Sequence, residues 1–452
     1  MLARLALILF FTSAMSQMLV GQAVARAGDV APQQTRSSIT TRDGVWMWSR
    51  SEDGNSLELT IRGEVEFNDE TTEVTRLAPG SSLEIRERRG GVSRRLEIES
   101  GAGGLSISYF VDGQSRPYDA EAKAWLAGIL AEAVTEGGLN AGPRARKILR
   151  ERGAGGLLDE LSRLKRDHVK SLYVQELYKS GSLDARTATR LAGIVAREMS
   201  SDHYKAQVLV GLPEQLVRDE AVRLAYLGAV GTIHSDHYRA QTLSAGLKSG
   251  NLSKEALLLA LSGVGGMTSD HYKTQVLLQV VESNLEDAAV RSAYVEAAAT
   301  IRSDHYRAQA LSAALQRGSI SKAALLAALR AAGGMSSDHY KAQVLLGVTE
   351  RSLGDEAVRS AFVETATTIG SDHYRAQALS GLLGKGSASK EALLAALQAT
   401  AGMSSDYYKA QTLLRLAGAG SGDESVRAAL IEAARTIKSD HERGRVLSAI
   451  FK

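Results

Sequence analysis

The chain has 452 residues, 44% hydrophobic and 23% charged, the proportions of folded globular protein and not of a disordered one. Its 54 Lys and Arg against 51 Asp and Glu leave the charge nearly balanced and without like-charge blocks, which argues against nucleic acid as a partner. There is no cysteine, so disulfides, thiolate metal sites, a cysteine nucleophile and a lipid-modified cysteine are excluded.

Residues 1–27 read as a secretory signal. Arg4 supplies the positive start, Leu5 to Phe11 is apolar, and Ala25-Arg26-Ala27 offers a small-x-small cleavage site before Gly28. The apolar stretch to Val20 is interrupted by Thr12, Ser13, Ser16 and Gln17 and falls short of the ~20 residues needed to span a bilayer. The expectation is an exported chain, periplasmic or extracellular, with no integral membrane segment after cleavage and a short linker over 28–36.

Period-two alternation takes over in 37–119, with Leu57, Leu59 and Ile61 on one face and Glu58, Thr60 and Arg62 on the other. The pattern returns at Leu83 and Ile85, Leu96 and Ile98, and Leu105, Ile107, Tyr109 and Val111. Asp43-Gly44, Pro79-Gly80, Gly90-Gly91 and Asp112-Gly113 punctuate the turns. This predicts a small antiparallel β domain of about six strands with one wet face. Trp46 and Trp48 share a parity, which suits packing beneath the sheet better than a ligand platform. Residues 120–164 follow as a helical connector and cap, with an amphipathic helix over Ala122 to Val134 and breakers at Gly137-Gly138 and Gly153 to Gly156.

From 165 to 452 one motif recurs, Ser201-Asp202-His203-Tyr204-Lys205-Ala206-Gln207-Val208-Leu209 in its first full copy. Its serine returns at Ser235, Ser269, Ser303, Ser337, Ser371, Ser405 and Ser439, every 34 residues. Such a period marks a solenoid, whose units bury their apolar faces only by stacking. Ser then Asp reads as a helix start, with the serine hydroxyl capping a free amide and the aspartate favouring the positive end of the dipole. Second starts fall at Asp219, Ser253, Asp287, Ser321, Asp355, Ser389 and Asp423, so each repeat is a pair of antiparallel helices. The expected fold is therefore mainly α, an αα-hairpin solenoid of about eight repeats behind a small antiparallel β domain. Repeats alternate in kind, Lys205, Lys273, Lys341 and Lys409 alternating with Arg239, Arg307, Arg375 and Arg443 after the tyrosine, with Met199, Met267, Met335 and Met403 ahead of every second motif. Asp167-His168-Val169 is a degenerate first copy, and Glu442 in place of Tyr suits a terminal unit facing water.

Eight of nine histidines lie in the motif, each after an aspartate, which invites a metal reading. Stacked helices lie roughly 8 to 10 Å apart, whereas two imidazoles sharing one zinc need nitrogens within about 4 Å. Tyr407 replaces the histidine in one copy, and His441-Glu442-Arg443-Gly444-Arg445 lacks the second histidine of a metallopeptidase signature. The imidazole of His203 is expected to reach Gln207 or a group on the adjacent repeat. Tyr204 and its equivalents read as anchors between helices with a hydroxyl at the edge. No nucleophile elbow, phosphate-binding glycine loop or dinucleotide fingerprint occurs, and Gly265-Gly266 and Gly333-Gly334 read as helix ends. No catalytic residue, metal or cofactor is expected.

Tandem helix pairs of this length resemble the HEAT and armadillo class of α-solenoids, from about Asp167 to Lys452. The 34-residue period also resembles tetratricopeptide repeats, but the early Trp-x-x-Leu-Gly and the closing proline of that consensus are missing. The resemblance implies a scaffold that binds another protein or peptide. The alternative is a metal-dependent enzyme or envelope sensor using the Asp-His pairs. The candidate binding row combines Lys205, Arg239, Lys273, Arg307, Lys341, Arg375 and Lys409 with His203, His237, His271, His305, His339 and His373, a polar ridge docking a partner of complementary charge. Asp202 and its equivalents, three residues before each cation, are the expected ion-pair partners.

Overall fold

A computed structural model of the chain describes residues 36–451 apart from 102, 249–250, 283–286, 317–320, 349–353, 382–389 and 421. The signal segment, its cleavage site and nearly all of the linker lie outside the described residues, as does the helix-start Ser389. The chain divides into two compact units, one ending at Leu126 and containing the sheet, the other running from Ala127 and including residues 69–72.

In the first unit the alternation of apolar and polar residues produces nine strands among the described residues. They are β1 (Arg36–Arg42), β2 (Val45–Glu52), β3 (Asn55–Arg62), β4 (Val65–Phe67), β5 (Val74–Leu77), β6 (Ser82–Arg89), β7 (Val92–Gly101), β8 (Gly104–Val111) and β9 (Gln114–Arg116). Seven form one antiparallel sheet in the order β1-β2-β3-β6-β7-β8-β9, and β4 and β5 make a separate ribbon. This corrects the expectation of about six strands. The three-residue strands β4 and β9 are too short to show a period. The hairpin turns Asp43-Gly44, Asp53-Gly54, Gly90-Gly91 and Asp112-Gly113 have positive φ at both residues, the mirror-image turn whose twist matches the strands it joins.

Register places Trp48, Leu59, Ile85, Leu96 and Tyr109 in one row across the sheet, and all are buried. Helix α1 (Ala120–Glu132) sets Trp125 against Tyr109 with ring centroids 5.5 Å apart, and the indole N–H donates to Glu87 Oε2 at 2.7 Å. Trp48 is a core residue, as its parity suggested, and Trp46 is half-buried. The other face is wet, laced by Arg86 with Glu84 at 2.6 Å and Arg95 with Glu97 at 3.4 Å.

The second unit is helical. After α2 (Ala141–Leu161), broken at Gly153 with φ of +66°, come α3 (Asp167–Ser180) and α4 (Ala185–Glu198), the degenerate first repeat. The first helices of the later repeats run Asp202–Val210, Asp236–Leu247, Asp270–Glu282, Asp304–Leu315, Asp338–Gly347, Asp372–Gly381, Asp406–Gly420 and Asp440–Ile450. The second helices run Glu220–Val230, Lys254–Gly265, Ala288–Ala299, Lys322–Gly333, Glu356–Thr367, Lys390–Ala401 and Glu424–Arg435. The unit is thus a helical-repeat solenoid. Leu209, Leu243, Leu277, Leu311, Leu345, Leu379 and Leu413 are all buried, the stripe that each repeat presents to its neighbours. The outward side of the last helix carries His441, Gly444, Arg445 and Ser448, all exposed, as a terminal repeat requires. Among the described residues no helix is long and apolar enough to cross a membrane.

Capping splits by helix. Second helices use true side-chain caps: Asp219 accepts from Val222 N at 3.1 Å, Ser253 from Ala256 N at 3.1 Å and Asp355 from Ala357 N at 2.9 Å. First helices differ from expectation. Ser201, Ser235, Ser303 and Ser337 occupy the N-cap position in extended conformation, but their hydroxyls make no cap bond, whereas those of Ser269, Ser405 and Ser439 accept long bonds of 3.4 to 3.5 Å from the amide three residues on. Neighbouring repeats supply another fastening, through the aspartate that follows each of these serines.

Candidate functional site

The motif residues lie at the edge where the first helices begin, and each has a distinct destination. Asp202 Oδ2 accepts from the backbone amides of His234 at 3.1 Å and Ser235 at 2.7 Å, both at the start of the following repeat. Asp236 does the same for Thr268 and Ser269 (2.8 and 2.6 Å), Asp304 for Ser336 and Ser337 (both 2.8 Å), Asp372 for Ser404 and Ser405 (2.8 and 2.6 Å). Orphan amides at one helix start are therefore satisfied by a carboxylate from the repeat before it. Burial works against the charged forms of Asp236 and Asp304, yet the hydrogen bonds from Thr268 and Ser336 and from the amides of Ser269 and Ser337 outweigh it and hold both carboxyls below the ordinary range.

The cations do not stand on an exposed ridge, which corrects that half of the expected row. Lys205, Lys273 and Lys409 are 4–5% exposed, Arg239, Lys341 and Arg375 are also buried, and Arg307 is half-buried. Nor do they pair with the aspartate three residues earlier. Lys205 Nζ donates to the carbonyl and Oγ1 of Thr232, both at 3.0 Å, at the end of the second helix of its own repeat. Lys273 meets Thr300 Oγ1 at 2.8 Å, Lys341 the Thr368 carbonyl at 2.9 Å and Lys409 Thr436 Oγ1 at 3.1 Å. The arginines take other carbonyls: Arg239 Nε donates to Ile233 O and Arg307 Nε to Ile301 O, each at 2.6 Å, and Arg375 Nε to Ile369 O at 2.9 Å. A cation at a helix C-terminus is favourably placed against the dipole. In the last of the described repeats, Arg443 does pair with the aspartate three residues earlier, Asp440.

Each histidine contacts the tyrosine of the next repeat. Nδ1 of His203 lies 3.2 Å from Tyr238 Oη, that of His237 3.1 Å from Tyr272, that of His305 3.1 Å from Tyr340 and that of His271 3.5 Å from Tyr306. His339 and Tyr374, and His373 and Tyr408, have ring centroids 5.4 Å apart. Because each of these tyrosines also lies at an angle against the ring before it in sequence, a histidine or, for Tyr408, Tyr407, the rings form a continuous row from His168 to Tyr407. The expectation that His203 reaches a group on the adjacent repeat is met at Tyr238, not at Gln207.

The sequence carried a signal for this pairing. Tyr407 is the motif copy without histidine, and the copy after it has Glu442 in place of tyrosine. At the other end, Val169 stands where no earlier repeat offers a histidine. Tyrosine thus occurs only where the preceding copy has histidine.

What faces outward is the remainder. His203, His237, His271, His305, His339 and His373 are exposed, and so are Gln207, Gln241, Gln275, Gln309, Gln377 and Gln411, one turn along, with Gln343 half-buried. A further turn along, Val210 and Leu346 are 41% and 43% exposed and Leu278 and Leu414 half-buried, whereas the other repeats carry Ser244, Ser312 and Ser380 there. The glutamines and the alternate aliphatic positions were not in the expected site. Among the described residues no three His, Asp or Glu side chains gather closely enough to hold a metal ion, since Asp and His of each pair turn to different partners.

No protein-family description matches this chain, and no curated protein matches it. It is similar to a solved structure described as "Computational Design of Self-Assembling Cyclic Protein Homooligomers", at 15% identity over 62% of this chain and 92% of that one. The TM-score is 0.14, too low for the likeness to bear on fold or function.

Proposed function

We propose that this chain is an exported, non-enzymatic scaffold of the HEAT or armadillo kind, whose first-helix face binds another protein or peptide. The observation that carries the reading is the exposed row of imidazole and carboxamide groups, joined on every second repeat by an aliphatic side chain. Hydrogen-bonding groups with an apolar anchor at regular intervals suit an extended polypeptide, which needs both. With the cations and aspartates engaged by backbone groups, such docking depends little on complementary charge and is weakly sensitive to salt.

The test uses Gln275→Ala, Gln309→Ala and Gln343→Ala together, because these carboxamides lie on the outward face, Gln275 and Gln309 exposed and Gln343 half-buried. Partners captured by the chain from an envelope extract are identified, and each is titrated against both proteins. Affinity at least tenfold weaker, with an unchanged melting temperature, supports this face. Equal affinity moves the site elsewhere. The same preparation tests export: the mass of the isolated protein should correspond to a start at Gly28, and protein retaining Met1 in the cytoplasm would overturn that part.

A further inference from the structure

The two edges of the sheet are unlike. β9 is three residues long and polar, a short edge of the kind that discourages pairing. β1 is seven residues long, Arg-Ser-Ser-Ile-Thr-Thr-Arg, pairs with β2 in unbroken register, and contains no proline, lysine or bulge. Ser37, Ser38, Thr40 and Thr41 are exposed, and among the described residues no strand pairs with the outer side of β1. A long, regular edge of this kind is a template for a further strand.

The strand is also self-complementary. A two-fold antiparallel pairing centred on Ile39 sets Ile39 against the partner's Ile39, Ser38 against the partner's Thr40 and Ser37 against the partner's Thr41. Ile39 lies in the row of Trp48, on the buried face, and is itself only half-buried, so meeting its own copy covers apolar surface left open. Serine opposite threonine is a favourable cross-strand pair. At the ends Arg42 is already held by Asp43 at 3.2 Å, which offsets its charge against the partner's Arg36.

From this geometry we infer that the chain forms a two-fold dimer through β1, joining two seven-stranded sheets edge to edge. The contact is isologous, as closed symmetry requires. A single strand pair is small beside the ~1,600 Å² of a standard interface, so the dimer dissociates on dilution.

The register gives a charge test on the wet face. Ser38→Glu with Thr40→Glu sets glutamate against glutamate twice across the two-fold axis. Ser38→Glu with Thr40→Lys sets each new glutamate against the partner's new lysine. Sedimentation of the purified chain from micromolar to near-millimolar concentration should show a dimer for the wild type and the Glu/Lys variant. Self-association of the Glu/Glu variant should be at least tenfold weaker, with circular dichroism unchanged in all three. A wild type that stays monomeric throughout overturns the inference, as do two variants that both dimerise or both fail to.

Discussion

Lys273 and Arg239 occupy equivalent positions, yet the groups around each differ. Lysine-type repeats end their second helix in Thr-Ile, and the threonine supplies a carbonyl and hydroxyl to the ammonium, as Thr300 does for Lys273. Arginine-type repeats end in glycine instead: a Cβ on Gly266 would lie 2.8 Å from Arg239 Nη1, and one on Gly402 3.3 Å from Arg375 Nη1. At these two repeats the wider guanidinium takes up room beside the glycine, whereas a Cβ on Gly334 would meet only the carbonyls of Ala331 and Arg330; the slimmer ammonium shares its place with threonine. Lys273→Met should therefore cost about 1.5–3 kcal/mol by chemical denaturation, the worth of a hydrogen bond to a charged group. Gly266→Ala should cost about 1–3 kcal/mol through overpacking, and less in an Arg239→Lys background, which a double-mutant cycle would read. Replacing Lys273, Arg307 and Lys341 together by glutamate should unfold repeats, because each glutamate would enter a site lined by carbonyl oxygens; a melting temperature equal to wild type would contradict their burial. For the imidazole–phenol hydrogen bond between repeats, a cycle on His305→Ala and Tyr340→Phe should give a coupling of about 0.5–1.5 kcal/mol.

Among the helices, the difference between first and second starts decides how acid acts. Second helices are capped from within, as at Asp423, where the Ser425 hydroxyl and the amide of Val426 hold the carboxyl down to about 2. First helices are capped from the preceding repeat, so protonating Asp236 loosens a junction between repeats. These carboxyls titrate lower folded than unfolded, so their contribution is present above the unfolded value and is lost as pH falls through the folded one. Thermal melts should therefore show the chain losing stability below about pH 4, with Asp423's share disappearing toward about 2. Asp236→Asn should melt well below wild type at neutral pH, and the gap should close in acid. A gap that persists undiminished at the lowest pH would mean that the charge of Asp236 does not hold the junction. Ser and Asp were legible as helix-start residues from spacing, but not which would do the capping. The acceptor came from 33 residues away, and only stacking brings it there.

Over the whole repeat array, unlike neighbours alternate on the second-helix side as well. Lys254 pairs with Asp287 at 3.2 Å, Lys322 with Asp355 at 2.8 Å and Lys390 with Asp423 at 3.5 Å, always from an arginine-type repeat to the next lysine-type one. Each pair is exposed and worth about 0–1 kcal/mol, but deleting the single arginine-type repeat that carries Arg307 and Lys322 brings two Asp-type helix starts together and leaves Asp355 without its lysine. It also brings a lysine to the Ile carbonyl that an arginine had occupied. Removing Met335 to Gly402, one 68-residue period, keeps both contacts in kind. The paired deletion should keep a higher melting temperature than a 34-residue one; the reverse order would show that the alternation has no part in stacking.

The sequence by itself determined the period, the two helices per repeat, the leucine stripe and the β texture of the N-terminal unit. These follow from local rules, 3.6- and 2-residue periodicity and turn chemistry, that act within one element. It also held the pairing of His with Tyr, written in the joint departure at Tyr407 and Glu442. Only the tertiary structure decided where the charged side chains went. A lysine three residues after an aspartate on a helix reads as its ion-pair partner, and Lys205 instead turns inward to a helix end 27 residues on while Asp202 turns to the next repeat. Both had stronger partners in unsatisfied backbone groups, and those groups come within reach only once the helices have stacked.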